Sequence, residues 1–292
     1  MIKKLNHCRL CVSKKYKPLF SKNEYDICKC LNCGFIFLDF KPGKSFFTDY
    51  YSEEFFNDIG VKHAYSNYEN ESKTLKKSFL LRIDVLSKYK ATGSLLDVGC
   101  ATGTFLECAQ SSWKTSGIDI SNYAIQVARK KGLETFVGEI KNSPYIKRKF
   151  DVVTLWDTIE HVSNPKETLS EINKIMPLGG ILGITTGDVG SLFSRFSGNC
   201  WHLYNIPQHL SFFDKNSIAK LMKETGFEIK EILYLPLNLT LDYVLFRFIT
   251  FYKLVIFQPI YKLLKNHNLL NLELNINLYD IMFVVAEKKG TV

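Results

Sequence analysis

The chain lacks the features that mark a membrane-spanning or exported protein. No stretch approaches the ~20 uninterrupted apolar residues that cross a bilayer. The opening residues, Met1-Ile2-Lys3-Lys4-Leu5-Asn6-His7, are basic and hold no apolar run of the secretory kind. These absences predict a cytoplasmic protein. No internal repeat is present. A basic stripe interleaved with aromatics is also missing. The net charge of +9 would suit nucleic acid or an anionic surface. Lysine is spread along the chain, however, and Arg129-Lys130-Lys131 and Lys147-Arg148-Lys149 are short runs without aromatics. Nucleic acid is therefore a disfavoured partner. A hydrophobic fraction of 46% over 292 residues is enough for one large globular domain and a small one.

Of the eight cysteines, four form Cys8-x-x-Cys11 and Cys30-x-x-Cys33, with 18 residues between the pairs. This is zinc-ribbon spacing: each pair makes a tight knuckle whose thiolates reach one ion. Gly34 follows Cys33, where a knuckle often needs a left-handed residue. A structural zinc held by Cys8, Cys11, Cys30 and Cys33 is the favoured reading. A disulfide pair is disfavoured without a secretory signal. A redox pair would need a thioredoxin-like context that neither motif has. Cys28 is a fifth thiol, too close to Cys30 for a standard knuckle. Cys100, Cys108 and Cys200 are scattered and read as single buried thiols. A four-thiolate site is closed, so this zinc would support folding and would not activate water.

What is present at the centre of the chain is a strand, a turn and a helix start: Leu95-Leu96-Asp97-Val98-Gly99-Cys100-Ala101-Thr102-Gly103-Thr104-Phe105-Leu106. Gly99 and Gly103 permit positive φ and close approach of a ligand. A dinucleotide fold carries Gly-x-Gly-x-x-Gly; here Ala101 holds the middle position, which argues against pyrophosphate. The amino-acid part of S-adenosylmethionine (SAM) would suit the helix start. Asp97 is placed to hold an ammonium group. Gly117-Ile118-Asp119-Ile120 is a second strand ending in a carboxylate, suited to ribose hydroxyls. Taken alone, the glycines are also consistent with an ordinary tight turn, and Asp119 with a surface turn acid.

The order of motifs resembles class I SAM-dependent methyltransferases. Asp97 to Gly103 looks like their first motif and Asp119 like their ribose-binding acid. Phe150-Asp151-Val152-Val153-Thr154-Leu155-Trp156-Asp157 looks like their fourth strand. Glu160-His161-Val162 resembles the segment after that strand in the ubiquinone-type methyltransferases. Met176-Pro177-Leu178-Gly179-Gly180 resembles the turn into their fifth strand, with Leu178 as an insertion. The resemblance implies a Rossmann-like, mostly parallel seven-stranded α/β sheet with helices on both faces. It also implies SAM as cofactor, met by Asp97, Gly99, Cys100, Gly103, Asp119, Ile120 and Trp156. Pro207 to Phe213 looks like a stretch in methyltransferases that carry an N-terminal zinc ribbon. Sugar C-methyltransferases share that layout and carry a further C-terminal domain, for which this chain is too short.

Composition divides the chain into a zinc ribbon (1–45), an aromatic-rich linker and helix (46–90) and a SAM-binding domain (91–292). The linker holds Phe46, Phe47, Tyr50, Tyr51, Phe55, Phe56, Tyr65 and Tyr68. Leu75, Phe79, Ile83 and Leu86 then recur at helical spacing. Strands are expected near 94–98, 115–120, 134–138, 150–156 and 180–186, with two more at Phe227–Leu235 and Asp280–Ala286. Residues 187–215 read as a lid over the carboxyl ends of the strands. The apolar insertion 236–275 reads as a buried helix pair or dimer face, or as an interfacial helix that meets a lipid-linked substrate at a membrane surface.

Methyl transfer to a hydroxyl needs a base, and histidine suits neutral pH. His209, in the lid, is favoured as that base; His161 is the other candidate, with Glu160 orienting it. Trp156, Tyr50 and Tyr51 are candidates to face the sulfonium, or are wall residues. The expected activity is SAM-dependent methylation of a small-molecule or glycan acceptor, at oxygen. C-methylation of a nucleotide-linked sugar and a ribbon-based nucleic-acid-binding protein are the alternatives. Oligomeric state is not legible.

Overall fold

A computed structural model describes residues 2–43, 45–52, 68–251, 254–267 and 269–290. Phe55, Phe56 and Tyr65 of the aromatic run lie outside them. At the N-terminal end, β1 (Tyr16–Lys22) and β2 (Tyr25–Cys30) form a hairpin. Its two turn residues, Asn23 and Glu24, both have positive φ, the backbone that matches strand twist. β3 (Ile36–Leu38) pairs antiparallel with β2. One tight loop precedes β1 and another joins β2 to β3. Val12 N–H donates to the Cys8 carbonyl and Gly34 N–H to the Cys30 carbonyl. Val12 and Gly34 take φ of +60° and +76° to close them. A short helix, α1 (Phe46–Tyr50), follows.

The second body begins with α2 (Tyr68–Ser87). β4 (Ser94–Val98), β5 (Lys114–Asp119), β6 (Thr135–Val137), β7 (Val152–Trp156) and β8 (Ile181–Gly187) come next. They are joined by α3 (Thr104–Ala109), α4 (Asn122–Lys130) and α5 (Pro165–Lys174) among others. All five residues of β7 are buried, as expected of a parallel strand covered on both faces. Capping fixes where helices start. Asn164 accepts from Glu167 N–H ahead of Pro165, and Ser121 accepts from Ala124 N–H.

Beyond β8 lie α6 (Leu192–Ser197), the two-residue β9 (Ser211–Phe212), α7 (Lys215–Glu224) and β10 (Phe227–Leu233). β11 (Leu237–Thr240), α8 (Leu241–Phe251), α9 (Gln258–Asn266), β12 (Glu273–Ile276) and β13 (Ile281–Lys288) complete the chain. The main sheet has the order β10-β13-β8-β7-β4-β5-β6, and only β13 runs against the rest. From β4 the chain builds outward through β5 and β6, then returns to place β7 on the other side of β4. The crevice at the carboxyl ends of β4 and β7 is therefore the switch point where open α/β sheets bind ligands. This is the expected mostly parallel seven-stranded α/β architecture.

Residues 187–215 are joined to the N-terminal sheet. Ile36 pairs with Phe212 and Phe37 with Ser211, so β9 is the fourth strand of the N-terminal sheet. Trp201, Tyr204, Ile206 and Leu210 are buried in one cluster with Ile27 and Leu38. The sequence could not show this, because a two-residue strand has no readable period. The insertion is a β11–β12 ribbon that carries α8 and α9. On α9 and just before it, Ile256, Ile260 and Leu263 are 79%, 56% and 58% exposed and form one stripe. No described helix is long and apolar enough to cross a membrane.

Gly103 shows what the glycine turn is for. Its φ is +81°, and an added Cβ would stand 2.2 Å from Leu133 Cδ1. Left-handed backbone disfavours a side chain there, and Leu133 would have to move to admit one. Gly103→Ala is expected to cost roughly 2–4 kcal/mol. Urea unfolding measures this; an unchanged midpoint would contradict the packing argument.

Candidate active site

Three residues set the turn that follows β4. Gly99, Ala101 and Gly103 all have positive φ, at +80°, +44° and +81°. A Cβ on Gly99 would clash with Thr158 Oγ1 at 2.4 Å. The space freed by both glycines is thus taken by the protein's own side chains. Ala101, an alanine in a left-handed conformation, is held by the Asp119 carboxylate, which accepts from Ala101 N–H at 2.9 Å. The other Asp119 oxygen accepts from Ser121 N–H at 2.8 Å. Burial raises the Asp119 pKa, and the backbone donors act against that rise. Ile120, half-buried, sits between those contacts. Cys100 turns its thiol into the core beside Gly117, so it offers a ligand only its main chain.

Asp97 is buried at the end of β4 and accepts from Thr154 Oγ1 at 2.7 Å. Burial pushes its pKa up to about 7, and the negative charge of Asp119 adds to the rise. A cationic group at this position would favour the ionised form.

Trp156 is not an open wall. Its ring packs against Phe105 and Phe283 with centroids 5.0 and 5.4 Å away. The guanidinium of Arg82 lies 4.9 Å from its centroid. Trp156 Nε1 is buried without a hydrogen-bond partner. Arg82, from α2, is buried and its charge acts on Asp97. Sequence reasoning missed it, although it lies three residues after Phe79 and four before Leu86. A charge on the apolar face of an amphipathic helix was the available signal.

Across the crevice, Glu160, His161 and His209 come together. Leu210 N–H and Ser211 N–H both donate to the Glu160 carbonyl, at 2.8 and 3.1 Å. These bonds join the loop after β7 to the segment before β9. The rings of His161 and His209 are perpendicular with centroids 4.6 Å apart. Glu160 is buried and accepts from Thr186 Oγ1 at 3.0 Å. Burial pushes its pKa up to about 8, and the charge of Asp157 adds to this. Burial lowers His161 to about 4, so it is a neutral imidazole. Its Nδ1 is 3.2 Å from the Gln208 carbonyl and 3.1 Å from the Tyr51 hydroxyl. Tyr51 also reaches the other side: its carbonyl accepts from Ser121 Oγ at 2.7 Å. Tyr50 accepts from Gln208 Nε2. The two tyrosines thus line the crevice as hydrogen-bonding residues. One carboxylate and two imidazoles, with ligand-capable atoms within 4.8 Å of one another, are a donor set that can move a proton or hold a cation.

The four cysteines of the two knuckles also converge. Cys8 and Cys33 sulfurs are 3.7 Å apart and those of Cys11 and Cys30 are 3.5 Å apart. These are not disulfide distances. A tetrahedron with metal–sulfur bonds of about 2.3 Å has edges of about 3.8 Å. Cys28 is outside the cluster, on β2, with its sulfur near the Asp26 carbonyl. Arg9, inside the first knuckle, donates to the Ser163 carbonyl at 2.9 Å and so ties the knuckle to the loop that follows His161.

The burial of Asp97 has a consequence for stability. Its unfolded pKa is near 3.8 and its folded one about 7. Between these values the folded state binds more protons, so its stabilising contribution at low pH is lost as pH rises through that window. Asp97→Asn removes this slope. The unfolding free energy of the ligand-free variant, minus that of the wild type, is expected to rise from about pH 4 to about pH 7. A flat difference in urea titrations would show that Asp97 ionises normally.

The methyltransferase-domain family model matches residues 70–232. A ubiquinone biosynthesis O-methyltransferase of Saccharophagus degradans is 28% identical over 190 residues, covering 58% of this chain and 79% of its own. An uncharacterized protein of Methanocaldococcus jannaschii is 23% identical over 164 residues, covering 56% of this chain and 77% of its own. The solved magnesium protoporphyrin IX methyltransferase of Synechocystis, with SAH bound, has a TM-score of 0.54 at 13% identity. That alignment covers 85% of this chain and all of the other. A SAM-dependent methyltransferase of Thermotoga maritima has a TM-score of 0.50 at 21% identity, covering 76% of this chain and 94% of the other. These two structures share the fold. With more than half of its length matched by the family model, over the segment that builds both sides of the crevice, the chain belongs to the methyltransferase-domain family and is a SAM-dependent methyltransferase.

Proposed function

We propose that the enzyme methylates a hydroxyl of a small-molecule or glycan acceptor. One observation carries this reading: Tyr51 links the Asp119 side of the crevice, through Ser121, to His161 on the other. Two chemically different half-sites face each other there. Relatives named as ubiquinone biosynthesis O-methyltransferases support oxygen as the acceptor atom.

On the donor side, Asp97 would meet the ammonium of SAM and Asp119 its ribose hydroxyls. Asp119 has two oxygens with lone pairs beyond the two backbone bonds it accepts. Arg82, buried beside Asp97, would meet the donor's carboxylate. Gly99, Cys100, Gly103 and Ile120 contribute backbone, and Trp156 supports Arg82 from below. When bound, SAM supplies a methyl group already activated on a sulfonium. The protein's work is therefore mostly orientation, together with removal of the acceptor's proton. Glu160, His161 and His209 are the groups proposed for that second task, with His209 foremost because burial makes His161 a weak base.

Two further parts of the reading are structural. Cys8, Cys11, Cys30 and Cys33 would hold one zinc, supported by sulfur separations close to a tetrahedral edge. The segments 1–45, 46–90 and 91–292 remain the proposed division, with 187–215 bonded to the first of them through β9. For a membrane-surface contact of the 236–275 insertion, the exposed stripe on α9 is the supporting feature.

Asp119→Asn should weaken SAM binding by roughly 10–100-fold, since a charged acceptor is replaced by a neutral one. Calorimetry giving wild-type affinity would remove the ribose role. His209→Ala should abolish methyl transfer to pooled small molecules and glycans, read as mass gain, and leave SAM affinity intact. Full turnover by this variant would remove His209 from the acceptor side. Freshly purified protein should contain one zinc per chain, lost on Cys30→Ser; metal-free protein with freely titrating thiols would end the zinc proposal.

A further inference from the structure

A groove of about 690 Å³ lies between the first cysteine knuckle and the start of α5. That is the size of a small-molecule site, usually about 300–1,000 Å³. Neither the donor half-site nor the Glu160, His161 and His209 cluster contributes a residue to it. Ser163 and Asn164, which follow His161 closely in the chain, form part of its wall. That wall is thus continuous with the loop that carries His161.

The charge of the groove is lopsided. Arg9, Lys41 and Lys166 line it beside His7, and Glu167 is the one carboxylate among its described lining residues. Lys166 is paired with Glu224 at 2.8 Å, and Glu167 accepts from Asn164 Nδ2 at the helix start. Arg9 is the unusual member. It is only 6% exposed, and every described hydrogen bond of its guanidinium goes to a carbonyl. Nη1 donates to Ser163, and Nη2 to Leu38 and Phe40. Nε–H and one Nη1–H are left over, and Nε is buried without a partner. The charge of Asp39 acts on Arg9, but its oxygens are taken elsewhere. They accept from Leu5 N–H, Asn6 N–H and the Tyr16 hydroxyl. Buried charges are normally paired, so a buried guanidinium held by carbonyls is incompletely compensated. An anion in the groove would supply the missing charge.

We propose that this groove binds a phosphate group, with Arg9 and Lys41 as its cations, and that the phosphate belongs to the acceptor. The inference rests on the reading that the acceptor lies on the His161 side of the crevice. A phosphate ester carries about −1.5 to −2 charge at neutral pH and three acceptor oxygens. It can therefore engage a guanidinium and an ammonium at once. Held there, it would anchor the acceptor by a group remote from the reacting hydroxyl. That hydroxyl is left to Glu160, His161 and His209. Binding energy from a remote group is what positions a reactant for displacement. The chain's net charge of +9 favours the approach of such a ligand.

Inorganic phosphate is the probe, titrated by calorimetry into the full-length, zinc-loaded protein at an ionic strength fixed with chloride. One phosphate per chain is expected for the wild type. Arg9→Gln should weaken it by roughly tenfold or more, as loss of a charge-assisted bond does. Lys41→Gln should weaken it by about threefold, as loss of an exposed charge does. Zinc content and SAM affinity report that each variant is folded. Should Arg9→Gln lose its zinc, Lys41→Glu reverses a charge outside the knuckles and should still weaken phosphate binding. No phosphate binding by the wild type, or equal binding by wild type and variants, overturns the site. The acceptor is tested with pooled metabolites and glycans, split into aqueous and solvent-extracted fractions. Each fraction is treated with phosphatase and phosphodiesterase before SAM is added. Loss of mass gain after treatment supports a phosphorylated acceptor, and the fraction concerned tells a soluble phosphate from a lipid headgroup. Undiminished mass gain overturns the link between groove and acceptor. Methyl transfer without phosphate binding leaves the O-methylation reading standing and removes the groove site. Phosphate binding without any methyl transfer does the reverse, and removes the acceptor assignment with that reading.

Discussion

The carboxylate of Asp119 holds the crevice together. One oxygen fixes Ala101 in a left-handed conformation that alanine otherwise avoids, and the other fixes Ser121. Ser121 in turn caps α4 and donates to the Tyr51 carbonyl. Tyr51 reaches His161, and Gln208 connects His161 to Tyr50. A single hydrogen-bonded path thus runs from the turn after β4 to the segment before β9. Removing its first member would disturb more than a ribose contact: an amide there keeps one of the two acceptors, and alanine keeps neither.

Burial of charge sets the chemistry of both half-sites. Asp97, Asp119 and Glu160 are carboxyl groups withdrawn from water, and the pKa of each is raised chiefly for that reason. Such groups are costly when ionised and unpaired. Arg82 offsets part of this beside Asp97. On the other side, Glu160 has Asp157 as a like-charged neighbour and hydrogen bonds from neutral donors. A cationic group beside Asp97 would offset the cost of ionising it.

How much of this was legible in the chain follows from the range of each interaction. Gly99, Gly103 and Asp119 announce themselves because a turn and a strand end are local events. Their detailed purpose did not: the glycines make room for Thr158 and Leu133, residues far along the chain. Trp156 stands out as an aromatic at a strand end, but its partner Arg82, from α2, does not. A side chain's neighbour across the core leaves no mark on its own spacing. His161 and His209 were each visible as candidates, but their 4.6 Å ring separation depends on Leu210 and Ser211 bonding back to Glu160.

The same long-range pairing gives the cysteine knuckles a place in the active site's architecture. β9 is two residues long and cannot stand alone as a strand. It exists because β3 offers it an edge, and β3 is held by the hairpin that the knuckles close. His209 lies two residues before β9, and Arg9 of the first knuckle binds the Ser163 carbonyl two residues after His161. Each histidine of the cluster is therefore braced from the N-terminal sheet, one through a strand pair and one through a guanidinium. An ion among the four thiols would stiffen that sheet without touching substrate. Its loss should be felt first as a loosening between His161 and His209, since Asp97 and Asp119 stand on β4 and β5, inside the seven-stranded sheet.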